Sequence, residues 1–425
     1  MIDGAPLVRG RRRGARRRRC IAAALLPLGL AIGAPSGAQQ VERRGVSPRN
    51  LPRPGYEPHV TRIGNATARV EVDISALDDS NVFATSRKPV NDVIVVTRPR
   101  ANLDWSSNAA TLHGEAYAAV FKHVDVTQED MASFGGALAG ALRVSRQQTI
   151  TSSLRFDRVR ESRTDPESRR NLNQPPRKID ALAGEVGYAV KGANVALALA
   201  GGYQSYNYLD PLESDRNMRL YRGSATFELR PNAPLSFFFQ GYVARRDFVR
   251  AVDFSGVDRD ATTIGALLGL SHGGSGLVQG KIGVGIFRFQ PDAPGLPAFT
   301  GLAVDGQLTW SPRPRTAVVL TVFRGDVATV RVGATNRIDT DVALRLEQEV
   351  RHNLLLEAQL SFSDILYRGP SQRSLTTYAA RIEGEYLFSG TMSAFAAGTF
   401  TRRDGRLITD RFTRPMVELG LRFRF

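Results

Sequence analysis

Turn-forming clusters recur about every 40 residues along this chain, at 104–108, 145–148, 191–194, 231–234, 271–276, 311–315, 351–353 and 389–391. Between them lie longer polar stretches, as at 160–176, 210–217, 247–260, 290–297 and 402–410. Short and long connections therefore alternate. Each repeat holds two segments of about 11–15 residues, long enough to cross a bilayer as tilted strands. A soluble propeller also repeats at about 40 residues, but its blades need four short strands each. The rhythm predicts nine hairpins and 18 strands: 66–77, 91–104, 109–123, 130–144, 148–160, 178–190, 195–208, 217–230, 234–247, 260–270, 276–289, 298–310, 316–325, 334–349, 353–366, 373–388, 391–402 and 412–425. Sixteen strands stays open, because strand boundaries carry errors of about 2–4 residues.

The strands alternate with period 2, the pattern of a sheet with one apolar and one polar face. At the end of the chain, Val417, Leu419, Leu421, Phe423 and Phe425 form one row and Glu418, Gly420, Arg422 and Arg424 the other. Val70, Val72 and Ile74 oppose Arg69, Glu71 and Asp73. Leu302, Val304 and Leu308 oppose Asp305 and Gln307. Val342, Leu344 and Leu346 oppose Asp341, Arg345 and Glu347. Leu354, Leu356 and Leu360 oppose Glu357. Ile382, Tyr386 and Phe388 oppose Arg381, Glu383 and Glu385.

A soluble sandwich would alternate too, but its sheets would face a dry core. Burying charge there costs several kcal/mol per ion, so the charged rows should line water and the apolar rows face lipid. The expected fold is all-β: a transmembrane, antiparallel, up-and-down β-barrel with both ends periplasmic. Trp105, Trp310, Tyr386 and Phe388 lie beside short turns, where an aromatic girdle belongs.

The N-terminus reads as an export signal over 1–38. It has an arginine-rich start, a short apolar stretch at 21–32 and the small residues Ser36, Gly37 and Ala38. A membrane anchor is the alternative, and a twin-arginine signal is disfavoured because a barrel must cross the inner membrane unfolded. Residues 1–38 hold eight Arg and one Asp, so cleavage near Ala38 would reduce the formal charge from +16 to about +9. That balance does not call for nucleic acid: no clustered basic helix or stacking motif accompanies it. The sole cysteine, Cys20, precedes the apolar stretch, so residues 39–425 contain none and form no disulfide or Cys-ligated metal site. Residues 39–64 are rich in Pro and Arg and read as an irregular periplasmic lead-in to a barrel at 65–425. No plug-sized domain is expected ahead of Asn65.

Several segments resemble the β-barrel porin type 2 family of bacterial outer-membrane proteins. They are Arg53-Pro54-Gly55-Tyr56-Glu57-Pro58, Asp79-Ser80-Asn81-Val82-Phe83, Pro99, Asp104-Trp105-Ser106, Leu308-Thr309-Trp310-Ser311-Pro312, Arg351-His352-Asn353-Leu354-Leu355-Leu356 and Gly420-Leu421-Arg422-Phe423-Arg424-Phe425. The likeness covers nearly all of the chain after the signal. It implies a place in the outer membrane, contact with its lipid and lipopolysaccharide, and a part in polysaccharide or capsule export with the proteins of that machinery. It also implies that Phe423 and Phe425 form the signal read by the barrel assembly machinery.

The functional expectation is a water-filled channel for polar solutes or polymer. Its lumen would be lined by Arg69, Glu71, Asp73, Asp305, Gln307, Asp341, Arg345, Glu347, Glu357, Arg381, Glu383, Glu385, Glu418, Arg422 and Arg424. The longest connection, with Arg160, Arg163, Arg169 and Arg170, would fold inward as a constriction. One alternative is a non-conducting scaffold of an export complex. Another is a rim hydrolase built on His123 and Asp125, which would share a strand face; two residues fall short of a catalytic constellation. No cofactor is expected: there is no phosphate loop, HExxH or Cys/His metal spacing. Arg324-Gly325-Asp326 reads as a coincidental adhesion tripeptide at the start of a loop. Arg245-Arg246-Asp247 and Arg402-Arg403-Asp404 read as a salt-bridged rim, or as contacts to anionic lipopolysaccharide.

Overall fold

A computed structural model describes residues 47–168, 172–273, 277–370 and 372–425. The expected signal segment, Cys20, Arg169 and Arg170 lie outside them. The barrel strands are β1 Ala66–Asp79, β2 Asp92–Ser106, β3 Ala110–His123, β4 Met131–Arg143, β5 Gln148–Arg160 and β6 Lys178–Lys191. They continue with β7 Val195–Tyr208, β8 Met218–Leu229, β9 Leu235–Phe248, β10 Ala261–His272, β11 Val278–Pro291 and β12 Phe299–Arg313. The last six are β13 Thr316–Val327, β14 Asn336–Arg351, β15 Leu354–Arg368, β16 Arg373–Leu387, β17 Met392–Gly405 and β18 Phe412–Arg424. Every strand lies within a few residues of its expected place.

Each strand pairs antiparallel with the next, and β18 pairs with β1 from Met416↔Asp79 to Arg424↔Glu71. The sheet is therefore a closed 18-strand barrel with no free edge, the one way a sheet satisfies its backbone in lipid. At the seam Phe425 N–H donates to Val70 O (2.8 Å) and Val70 N–H to Phe425 O (3.1 Å). A short strand, Thr61–Ile63, folds back on the start of β1.

A 14-residue strand such as β1 is roughly 46 Å long. Tilted about 40°, it clears the ~25 Å apolar band of an outer-membrane barrel. Large apolar side chains stay exposed on the outer wall, among them Ile74, Leu138, Val186, Leu268, Leu360 and Leu419. Trp105, Trp310, Tyr386 and Phe388 are exposed at the short-turn end. No helix of the described residues is long and apolar enough to cross a membrane.

Candidate functional site

Period-2 alternation carries one side-chain row of each strand inward, and the register links these rows around the barrel. Arg422 faces Asp73, Arg424 faces Glu71, Glu383 faces Glu357, Glu357 faces Glu347, and Phe323 joins Asp305 to Asp341. Every residue expected in the lumen falls on this one face, with Gln307, Arg345, Arg381, Glu385, Glu418 and Arg69 in the same rows. It is the face turned away from the exposed apolar wall.

The lumen is asymmetric. From β14 round to β2 the inner wall is crowded with ion pairs. Arg422 donates to Asp73 (2.7 Å) and to Glu385 (2.8 Å). Arg424 reaches Glu71 (3.2 Å) and also Glu385. Arg381 meets Glu383 (2.6 Å), Arg345 meets Glu347 (3.2 Å), and Arg98 meets Glu418 (2.5 Å). Arg98 was not among the expected lumen residues. It sits one place before Pro99, where β2's apolar alternation breaks, and its cross-strand partner is Asp73.

The facing wall, β4 to β8, carries small neutral groups inward together with charge: Arg155 and Asp157 pair at 2.7 Å, and Glu185, Arg222 and Glu228 stand in the same inward rows. Ala139, Ala141, Thr151, Ser153, Ala198 and Ala200 are half-buried or exposed there. Ion pairs are thus denser from β14 to β2, and small groups alternate with fewer charges along β4–β8. Inward aromatic rings elsewhere lie close against glycines of neighbouring strands. Phe238 covers Gly269 and Gly283, Tyr242 covers Gly265 and Phe287 covers Gly301. A Cβ on Gly283 would come within 2.8 Å of the Phe238 ring, so these glycines keep the rings against the wall.

The short-turn mouth holds a feature that the sequence did not suggest. The lead-in is not confined to a position outside the barrel. Its 3-10 turn, Pro48–Asn50, sits inside the mouth. Ser47 Oγ donates to Glu347, Arg49 reaches Glu383 (3.0 Å) and Glu357 (3.2 Å), and Arg53 lies 3.6 Å from Glu349. Composition reads this stretch as a linker, because its binding surface is assembled from β14, β15 and β16, some 300 residues later.

The long-loop end is capped. Residues 161–168 of the connection after β5 fold over this mouth, held by charges of both signs. Arg163 is taken up by Glu129 (2.6 Å), and Arg160 Nε has no hydrogen-bond partner among the described residues. Glu161 binds Arg216 (2.5 Å). Glu167 accepts from Thr329 Oγ1 (3.0 Å), Val330 N–H (2.9 Å), Arg337 (2.9 Å) and the Tyr367 hydroxyl (2.9 Å). Burial pushes the Glu167 carboxyl up, but Arg337, Tyr367, Arg216 and Thr329 outweigh it and hold it below its usual range.

The groups meeting Glu167 belong to the tip of the β13–β14 hairpin and to Tyr367. Pairing of β12 with β13 stops at Val304↔Arg324, while β13 stays on β14 as far as Val327. Beyond that point the tip leans over the mouth. Asp326 accepts from Thr263 (2.6 Å) and from Arg246, and Gly333 N–H donates to Asp253 (2.8 Å). Arg324-Gly325-Asp326 therefore lies within β13, with its Asp326 side chain buried, and is not displayed on a loop.

The suggested His123–Asp125 pair does not form. His123 lies 3.6 Å from Asp130, and Asp125, past the strand end, is held by its backbone N–H donating to Asp92 (3.1 Å). Arg402 pairs with Asp404 (3.0 Å), and Arg245 with Asp247 and Asp292 (both 2.6 Å). Arg403 instead turns inward and donates to Thr164 O (2.5 Å). No group of three or more His, Cys, Asp or Glu among the described residues is placed to hold a metal.

Comparison with solved structures gives distant likenesses. The FrpB iron transporter from Neisseria meningitidis is 10% identical, with a TM-score of 0.40; the match covers 79% of this chain and 62% of that one. OccK2 (OpdF) from Pseudomonas aeruginosa is 13% identical, with a TM-score of 0.45; the match covers 85% of this chain and 99% of that one. No curated protein matches. The family described as putative beta-barrel porin 2 matches residues 53–425, nearly the whole of the described structure, and the chain belongs to that family.

Proposed function

We propose that this protein is an outer-membrane channel for polar solutes or an extended polar polymer, with short turns and both chain ends on the periplasmic side. The observation that carries the reading is the asymmetric lumen: dense ion pairs from β14 to β2, and from β4 to β8 small residues interspersed with Arg155, Glu185 and Arg222. Such a shaft passes water-soluble cargo along a polar wall while its fixed charges set its selectivity. Export of polysaccharide fits a shaft wall on which alanine, serine and threonine separate the charged groups. The cap at the long-loop end would have to move aside in transport. It also favours a second reading, a scaffold for export proteins that does not conduct.

Refolded protein in a planar bilayer separates the two. The channel predicts steady conductance, altered in ion selectivity by Arg345→Ala or Glu383→Gln and raised by Glu167→Gln. A correctly folded barrel silent in all of these forms would overturn it. Phe425 is proposed as the assembly signal together with Phe423. Deleting Phe425 should reduce membrane insertion more than it alters conductance, and normal insertion of that truncation would remove the assignment.

A further inference from the structure

Glu347, Glu357 and Glu383 stand in one cross-strand row on β14, β15 and β16. Like charges directly opposite one another destabilise a sheet, so the row requires cations. The wall supplies two: Arg345 to Glu347 (3.2 Å) and Arg381 to Glu383 (2.6 Å). For Glu357 the ion-pair partner is Arg49 (3.2 Å), which comes from the lead-in. Two residues along β14 from Glu347, Glu349 is enclosed (2% exposed) and receives Arg53 at 3.6 Å, beside Arg315 at 3.4 Å and His352 at 3.3 Å. The wall is thus built one cation short, and a basic side chain from elsewhere completes it.

We infer that this acidic row is a binding site for guanidinium- or ammonium-bearing chains, and that the protein's own lead-in occupies it. The occupant is well matched. Residues 47–53 form a short turn whose Arg53 is clipped back onto its own backbone, donating to Arg49 O (2.8 Å) and to Pro48 O. The strap therefore presents Arg49 to the row as a preformed unit. Farther along, Glu57 O packs against Gly390, in the short turn between β16 and β17. The segment thus passes from the rim into the mouth, the route that a basic chain entering from the short-turn side would also take. On the channel reading, the same row would favour cationic cargo whenever the strap withdraws.

The test measures binding of a fluorescein-labelled tetra-arginine peptide to the protein purified from residue 39 onward and folded in detergent. The double variant R49Q/R53Q should bind it at least about tenfold more tightly than the native protein, or ~1.4 kcal/mol. Arg49→Lys with Arg53 intact should bind as the native protein does. Adding Glu357→Gln to R49Q/R53Q should abolish the gain. Equal binding by the native protein and R49Q/R53Q, or a gain that survives Glu357→Gln, would overturn the site. Heat-modifiable migration on gels verifies folding, and Glu357→Gln alone, which leaves the strap sequence intact, should lower strap protection in hydrogen exchange. Conductance does not enter this readout. A folded protein that never conducts but binds the peptide in this way would sink the channel and leave the site standing.

Discussion

Glu385 shows how a charge is kept inside this barrel. Its side chain is 2% exposed and accepts from Arg422 (2.8 Å), Arg424 and Ser393 Oγ (2.7 Å), while Arg422 also binds Asp73 across the closing seam. A buried carboxylate so placed is held by complete pairing, and removing one partner strands the others. Glu385→Gln should therefore cost about 3–5 kcal/mol in urea unfolding from vesicles. On the outward rim, Arg402 and Asp404 are 57% and 45% exposed, and Asp404→Asn should shift stability by about 0–1 kcal/mol. Equal effects at the two positions would contradict the assignment of inner and outer rows.

The cap is the element with the sharpest pH signature. Glu167 is held below its usual range, and so is Asp253, where hydrogen bonds from Gly333, Ser255 and Val257 outweigh burial. A carboxyl with a depressed folded-state value contributes stability above its unfolded value, about 4.3 for Glu. That contribution disappears as pH falls through the folded value. Glu161 works the other way: burial raises it despite Arg216, so protonation there relieves the fold at milder acidity. Hydrogen-exchange protection of 328–335 should thus hold or rise slightly from pH 6 to 5 and drop below about pH 4. Glu167→Gln should begin lower and lose most of that dependence. A native cap whose protection does not change between pH 6 and 3 would refute the latch. Neither loop announces this arrangement in sequence. The connection after β5 reads as a constriction because of its arginines, yet of these Arg163 is taken up by Glu129, and Glu161 and Glu167 anchor the segment through partners on four other connections and strands.

At the scale of the molecule, the barrel was legible because its two determinants are local. Period-2 alternation and turn residues at fixed intervals decide strand, face and hairpin without reference to anything distant, and β18 and β1 could be matched as the closing pair from their complementary rows. Inward-facing Arg345, Glu383 and Arg422 follow from the same alternation. What stayed hidden depends on contacts set by closure. Arg49 and Arg53 find Glu357 and Glu349 only once β14 to β16 are side by side, Arg98 finds Glu418 only across the seam, and the lean of the β13–β14 tip follows from pairing that stops at Val304↔Arg324. The β4–β8 side was equally silent, because the alanines and serines between its inward charges carry too weak a polarity signal to mark a lumen face.

The central claim is that one face of each strand meets water, along β4–β8 in particular, and the other meets lipid. Residues 39–425 lack cysteine, so single cysteines report without background. Ala139→Cys and Ala198→Cys should react with a charged, membrane-impermeant thiol reagent in reconstituted vesicles, while their neighbours Leu138→Cys and Leu197→Cys should stay unmodified until detergent is added. Labelling of Leu138→Cys and Leu197→Cys in intact vesicles, with Ala139→Cys and Ala198→Cys protected, would contradict the account.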